Sequence, residues 1–98
     1  MELPIKRTAV QIEFGETDEG REAARSFVER YQRSGQPGKA LLSGTNRNKV
    51  KLYRPGRFDL QSLEILAHQA RLEDLVALAR QIRFQFRIEP RKKDSVDP

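Results

Sequence analysis

The chain contains no cysteine and no tryptophan, and it has one histidine and one methionine among its 98 residues. Without cysteine it can form no disulfide framework, thiolate zinc site, iron–sulfur cluster or cysteine nucleophile. A reducing, cytoplasmic setting fits this composition best. Long apolar runs are also missing, and residues 1–7 lack the apolar run of a signal peptide. We therefore expect neither a signal peptide nor a contact with a membrane.

Recognisable motifs for catalysis and cofactor binding are missing as well. His68 is the lone histidine, and no Gly-x-Ser-x-Gly motif accompanies it, which favours a structural or surface role. Glu73 and Asp74 are adjacent, so in a helix they point to different sides and make a poor carboxylate pair. The stretch 35–39 lacks the Gly-Lys-Ser/Thr ending of a phosphate loop and leads into a strand. We predict no metal, no cofactor and no enzymatic activity.

Charge is abundant and unevenly distributed along the chain, which carries a net charge of +5. Residues 8–29 contain six acidic and two basic residues, whereas residues 30–57 contain eight basic residues and no acidic one. An acid-free stretch of this length is uncommon in a chain of which 34% is charged. The charge distribution therefore indicates a partner with negative charge.

Three segments alternate apolar and polar residues with the period of a β-strand, at 8–14, 49–53 and 83–89. The short apolar segment 40–43 is followed by a turn-like stretch at 44–48, so we predict a β-hairpin with the second of these strands. Pro90 is expected to end the last strand. The predicted inward-facing residues are Val10, Ile12, Phe14, Val50, Leu52, Phe84, Phe86 and Ile88.

Two regions between the strands have helical periodicity. Thr17 is the predicted N-cap of a helix that ends near Arg33, before the Gly and Pro residues of 34–38. Asp59 is the predicted N-cap of a second helical region, whose apolar stripe changes phase near Ala70 and Arg71. We expect a break there; one continuous helix and a short strand at 62–66 are the alternatives.

The predicted order is strand, helix, strand, strand, helix, strand, which is the order of the ferredoxin-like βαββαβ architecture. We therefore predict a single α+β domain at residues 1–90, in which an antiparallel sheet carries its helices on one face. A flexible basic and polar tail follows at 91–98. In this arrangement the first strand lies between the third and fourth, and the other sheet face is open. The order of elements carries no function with it.

The open face is predicted to be basic. Period two places on it Gln11, Glu13, Lys49, Lys51, Tyr53, Arg83, Gln85 and Arg87, and the hairpin tip adds Asn46, Arg47 and Asn48. Lysine and arginine neutralise phosphates, whereas amides and tyrosine can contact sugars or bases. We predict a nucleic-acid-binding module that contacts the phosphate backbone of DNA or RNA. Its predicted site consists of Arg47, Lys49, Lys51, Tyr53, Arg83 and Arg87, with Arg91, Lys92 and Lys93 as a supplement.

Three other interpretations stay open at this point. Lysines and arginines of the strands can simply keep the sheet soluble. Acidic residues at 13–29 and basic residues at 30–57 can form complementary patches for a homodimer or for contact with another protein. A metal-independent ribonuclease could use Tyr53, Lys51 and Arg54 to stabilise a cleaving phosphate. The segment 48–53 does not match the RNA-recognition motif, because Tyr53 alone is available for stacking.

Overall fold

The computed structural model describes residues 5–88, which form a four-stranded antiparallel sheet and three helices. In chain order the elements are β1 (Ile5–Glu13), α1 (Asp18–Arg33), β2 (Lys39–Ser43), β3 (Lys49–Pro55), α2 (Leu60–Ala70), α3 (Glu73–Val76) and β4 (Gln81–Ile88). The strand order across the sheet is β2-β3-β1-β4, so β1 lies between β3 and β4 as predicted. The α+β class is confirmed. The predicted strand end at Pro90 and the predicted tail at 91–98 lie outside the described residues.

The hydrophobic core lies between the sheet and the helices. Its strand residues include Val10, Ile12, Val50 and Leu52, and its helix residues include Phe27, Tyr31, Leu63 and Leu66, all of them buried. Phe14 follows β1 directly and packs against Phe27 with 6.5 Å between the ring centres. Removal of this apolar surface from water is the main stabilising contribution, and it leaves alternate strand residues on the opposite, uncovered side.

Helix α1 begins and ends where the sequence predicts. The Thr17 hydroxyl accepts a hydrogen bond of 3.0 Å from the Gly20 amide, which satisfies one of the free amides of the first turn. Gly20 is buried against the loop after β1, and a Cβ atom at this position would lie 1.8 Å from the Gly15 carbonyl oxygen. Only glycine therefore allows α1 to approach the end of β1 this closely.

The predicted break after α2 is confirmed. Asp59 caps α2 by accepting a hydrogen bond of 3.0 Å from the Ser62 amide. Arg71 ends the helix in the left-handed region with φ 58°. This turn brings Leu72 and Leu75 into the core, whereas continuation of the α2 stripe would have pointed acidic side chains inward. The alternatives of one continuous helix and of a strand at 62–66 are wrong.

The end of β4 differs from the prediction. Phe86 and Ile88 were expected in the core, but they are 39% and 56% exposed. β4 is an edge strand. Helix α1 packs mainly over β2 and β3, which lie towards the opposite edge of the sheet. The Arg57 guanidinium instead lies over the Phe86 ring, 5.0 Å from its centre. Alternation predicts the side of the sheet correctly, but burial also requires a helix above it.

Candidate nucleic-acid interface

The strand register defines the composition of the open face. Directly opposed residues of antiparallel neighbours lie on the same side of a sheet. One row across the four strands consists of Lys39, Tyr53, Ala9 and Gln85, and the next consists of Leu41, Lys51, Gln11 and Arg83. The outer rows consist of Ser43, Lys49, Glu13 and Gln81 at one end and of Pro55, Arg7 and Arg87 at the other.

This face carries a strong excess of positive charge. Among residues 5–88, six basic residues lie on this face, namely Arg7, Lys39, Lys49, Lys51, Arg83 and Arg87, and one acidic residue, Glu13. Glu13 lies directly opposite Lys49 in an outer row, so the acid is confined to one end of the face. The remaining area presents a positive field that attracts anionic ligands.

A depression of about 520 Å³ lies in the middle of this face. The residues of the open face that line it are Arg7, Ala9, Gln11, Lys51, Tyr53, Arg83, Gln85 and Arg87. Ala9 lies between Tyr53 and Gln85 in the row. The single methyl group of Ala9 is much shorter than the side chains on either side of it, which explains why the surface is hollow at this point.

Most of the predicted site residues come together around this depression. Lys51, Tyr53, Arg83 and Arg87 line it. Lys49 lies on the same face but in the outer row, opposite Glu13. Arg47 lies in the hairpin turn, where it is exposed and adopts a left-handed backbone conformation with φ 55°.

Two basic residues of this face, Arg7 and Lys39, are not among the predicted ones, whereas Ala9 has the outward position that alternation gives it. Arg7 and Ala9 line the depression, and Lys39 lies opposite Tyr53 at the start of β2. Arg7 was missed because β1 begins at Ile5, before the predicted start at Thr8. The alternation that places Gln11 and Glu13 on the open face extends back through Ala9 to Arg7. The same pattern would therefore have predicted Arg7 on this face if the strand had been extended to Ile5.

Asn48 has a structural role that the sequence interpretation did not anticipate. Its side-chain amide donates a hydrogen bond of 2.7 Å to the Phe14 carbonyl, and the Phe14 amide donates one of 2.8 Å to the Asn48 carbonyl. The side chain is buried. Asn48 therefore fastens the hairpin to the end of β1 and is not available to a ligand at the hairpin tip, where Asn46 and Arg47 are exposed.

The residues considered for a ribonuclease site are not assembled. Arg54 lies on the helix side of the sheet, where its guanidinium donates hydrogen bonds of 2.9 Å to the Tyr31 hydroxyl and 2.7 Å to the Pro37 carbonyl. It also lies 4.9 Å from the centre of the Phe58 ring. Tyr53 and Lys51 face the opposite side of the sheet, so the three side chains do not converge on one side of it.

The remaining titratable candidates have separate partners in the helical layer. His68 Nδ1 lies 3.0 Å from a Glu73 carboxylate oxygen, on an exposed surface. Asp74 contacts the Arg30 guanidinium at 2.9 Å, and this contact holds the pKa of the Asp74 carboxyl below its usual range. The two adjacent carboxylates thus diverge as predicted. Within residues 5–88, no three His, Asp or Glu side chains cluster in a way that could hold a metal ion.

The chain matches no protein-family model, no curated protein and no solved structure. None of the helices at residues 5–88 is both long and apolar enough to span a bilayer.

Proposed function

We propose that this protein binds nucleic acid through the open face of its sheet, and that phosphate contacts supply most of the affinity. The observation that carries this proposal is the ratio of six basic residues to one acidic residue, counted over residues 5–88, on a face that none of the three described helices covers. Each phosphate that such residues neutralise releases condensed counterions, which favours binding and makes it sensitive to salt.

The middle of the face adds groups that suit sugars and bases. Gln11 and Gln85 each carry an amide that can donate and accept hydrogen bonds, and Tyr53 carries an aromatic ring. All three line the depression together with basic side chains. If the basic residues served only to keep the sheet soluble, there would be no need for two amides and an aromatic side chain to be grouped among them.

We also infer that the architecture is of the ferredoxin-like type. Two observations support this inference together: the strand order is β2-β3-β1-β4, and all neighbouring strands are antiparallel. β1 and β2 are then parallel with β3 between them, and β3 and β4 are parallel with β1 between them. These are two interleaved split βαβ units. The break between α2 and α3 is an addition to that scheme.

The alternative proposal, a homodimer made by complementary acidic and basic patches, has weaker support. Acidic residues of α1 pair within the helix, where Arg25 contacts Glu22 and Glu29 at 2.5 Å and 2.9 Å. The helix also lies on the opposite side of the sheet from the basic face. A contact between these two sides would run head to tail and would not close into a symmetric pair.

A salt titration with charge-matched variants tests the proposal. Fluorescence anisotropy of labelled DNA and RNA, single-stranded and double-stranded, would be measured for the parent, for Lys51→Gln/Arg83→Gln and for Arg33→Gln/Arg71→Gln. Both variants remove two positive charges, but only the first removes them from the open face. We expect the first to lower affinity about tenfold at low salt and to reduce the slope of log affinity against log salt by between about 1 and 2.

Two results would contradict the proposal. One is the absence of binding to any of the four ligands at low salt. The other is an equal loss of affinity in both double variants, which would mean that net charge matters and the open face does not. If binding is absent and sedimentation detects a dimer that dissociates as salt rises, the assembly function takes its place.

A further inference from the structure

We infer that the depression over Ala9 seats one unpaired nucleobase, so that the open face selects single-stranded over double-stranded nucleic acid. This inference rests on the proposed function, because phosphate contacts of the same face would hold the strand. It goes further by assigning a ligand group to a specific place and by predicting which form of nucleic acid is preferred.

The shape of the face supports a seat for a flat group. Ala9 is in the central strand β1, with Tyr53 directly opposite on one side and Gln85 on the other. Along β1, Arg7 and Gln11 are the next residues on the same face. The volume of about 520 Å³ falls within the range of about 300–1,000 Å³ that is typical of small-ligand sites.

The walls of the depression match the chemistry of a base. The Tyr53 ring offers a surface for stacking, which is the usual way in which proteins hold unpaired bases. Gln11 and Gln85 can each present a donor and an acceptor to the edge of the base. They line the depression from two different strands.

The cations around the seat are arranged for phosphates on both sides of the base. Lys51 and Arg83 flank Gln11 in one adjacent row. Arg7 and Arg87 lie directly opposite each other in the row on the other side of Ala9. A like-charge pair in this position destabilises a sheet, and a bound phosphate would relieve that repulsion.

A duplex cannot use this seat in its ordinary form. Its bases are paired and stacked, so that one must be flipped out at a cost of a few kcal/mol before it can enter a pocket. A duplex would therefore make only the phosphate contacts of the face. A single strand would make the same contacts and would also place a base on Tyr53.

Filling the depression without changing any charge tests the inference. The variant Ala9→Ile introduces a larger side chain of a type that suits a strand, and Ala77→Ile adds the same volume at an exposed position of the helical layer. The ligands are base-bearing single strands of DNA and RNA, an abasic strand with the same number of phosphates, and a duplex. Circular dichroism and thermal melting establish that both variants are folded.

We expect Ala9→Ile to lower the affinity for base-bearing single strands by about tenfold, consistent with the loss of one stacked base. The affinities for the abasic strand and the duplex, and all affinities of Ala77→Ile, should stay unchanged. A second pair of variants gives the same test without altering Ala9. Tyr53→Leu should lower binding of base-bearing strands, and Tyr53→Phe should retain it because the ring is kept.

Failure of the seat is distinguishable from failure of the proposed function. If the parent binds abasic and base-bearing strands equally, or if Ala9→Ile binds base-bearing strands as well as the parent does, the seat is wrong although the face still binds nucleic acid. If the parent binds none of the ligands at low salt, both inferences fall. Unequal losses for DNA and RNA strands would identify the source of the seated base.

Discussion

The guanidinium of Arg54 donates a hydrogen bond of 2.9 Å to the Tyr31 hydroxyl beneath the sheet, while its chain neighbour Tyr53 lines the depression above it. Tyr31 in turn donates a hydrogen bond to the Pro37 carbonyl. The loop between α1 and β2 is thereby tied to β3. Alternate residues of one strand thus have separate tasks, because even-numbered residues of β3 maintain the fold and odd-numbered ones form the candidate interface.

Replacement of Arg54 should affect stability and leave binding intact. Arg54→Leu removes the hydrogen bonds that the guanidinium donates to the Tyr31 hydroxyl and to the Pro37 carbonyl. We therefore expect the free energy of unfolding to fall by about 1–3 kcal/mol. Urea unfolding measures this change, and anisotropy at a temperature where the variant is folded measures binding. Lys51→Leu is the matched variant on the opposite side of β3. A loss of affinity with unchanged stability in Arg54→Leu would contradict this division of tasks.

Gly20→Ala should destabilise the protein although alanine is the better helix former. Alanine normally gains about 1 kcal/mol over glycine inside a helix. Here its methyl group would lie 1.8 Å from the backbone oxygen of Gly15, so α1 has to move away from the end of β1. We expect a net loss of about 1–3 kcal/mol in urea unfolding, as for other overpacked sites.

The control for this substitution is Gln32→Ala, at an exposed position of the same helix. It replaces a surface residue with alanine without creating a contact, and we expect it to change stability little. If Gly20→Ala stabilises the protein as much as its helix propensity suggests, the close approach of α1 to Gly15 is wrong.

Acid should weaken the capping of α2. The pKa of the Asp59 carboxyl lies below its usual value of 3.8, chiefly because its carboxylate accepts a hydrogen bond from the Ser62 amide. A depressed pKa in the folded state means that the charged form contributes stability above pH 3.8, and that this contribution is lost as pH falls through the lower, folded value. We expect Asp59→Asn to have a smaller decrease in melting temperature than the parent over that acidic range.

Glu64→Gln is the control, since it removes an exposed carboxylate from the same helix without touching the cap. It should retain the parent's acid dependence. An unchanged acid dependence in Asp59→Asn would indicate that the carboxylate does not stabilise the helix in its charged form.

Local sequence patterns predicted the faces and caps well because these depend on a few neighbouring residues. Thr17 and Asp59 were identified by their position before an apolar stripe, and Tyr53 by alternation within β3. The exposure of Phe86 was not predictable in this way, because it depends on how far the helices extend over β4. The role of Asn48 was not predictable in this way either, because its hydrogen-bond partner Phe14 lies 34 residues away in sequence.

The depression over Ala9 could not be predicted from local sequence patterns either. Alternation indicates that Ala9 faces outward, but an alanine on a strand is ordinary in sequence. It becomes informative once the register places it between Tyr53 and Gln85. Cross-strand neighbours are set by the pairing of distant segments, so the depression required the three-dimensional structure.

Arg47→Gly should separate binding from stability in the hairpin turn. Arg47 has φ 55°, a conformation that costs a residue with a Cβ atom about 1–2 kcal/mol and costs glycine little. Glycine loses more backbone entropy on folding, so the net gain in the free energy of unfolding should be no more than about 1 kcal/mol. Removal of an exposed cation next to the open face should at the same time weaken nucleic-acid binding. Urea unfolding and a salt titration with a single-stranded oligonucleotide measure the two effects.

The matched variant is Arg71→Gly, because Arg71 has the same left-handed backbone, with φ 58°, but lies in the helical layer. Both substitutions relieve the same strain and remove one positive charge. We expect similar changes in stability, and a decrease in affinity and in salt dependence for Arg47→Gly alone. Arginine at the hairpin tip would then be retained for its charge at the expense of backbone strain, as is found at functional sites. If the two variants lower affinity equally, or if neither lowers it, Arg47 is not part of the interface, and the interface consists of sheet residues alone.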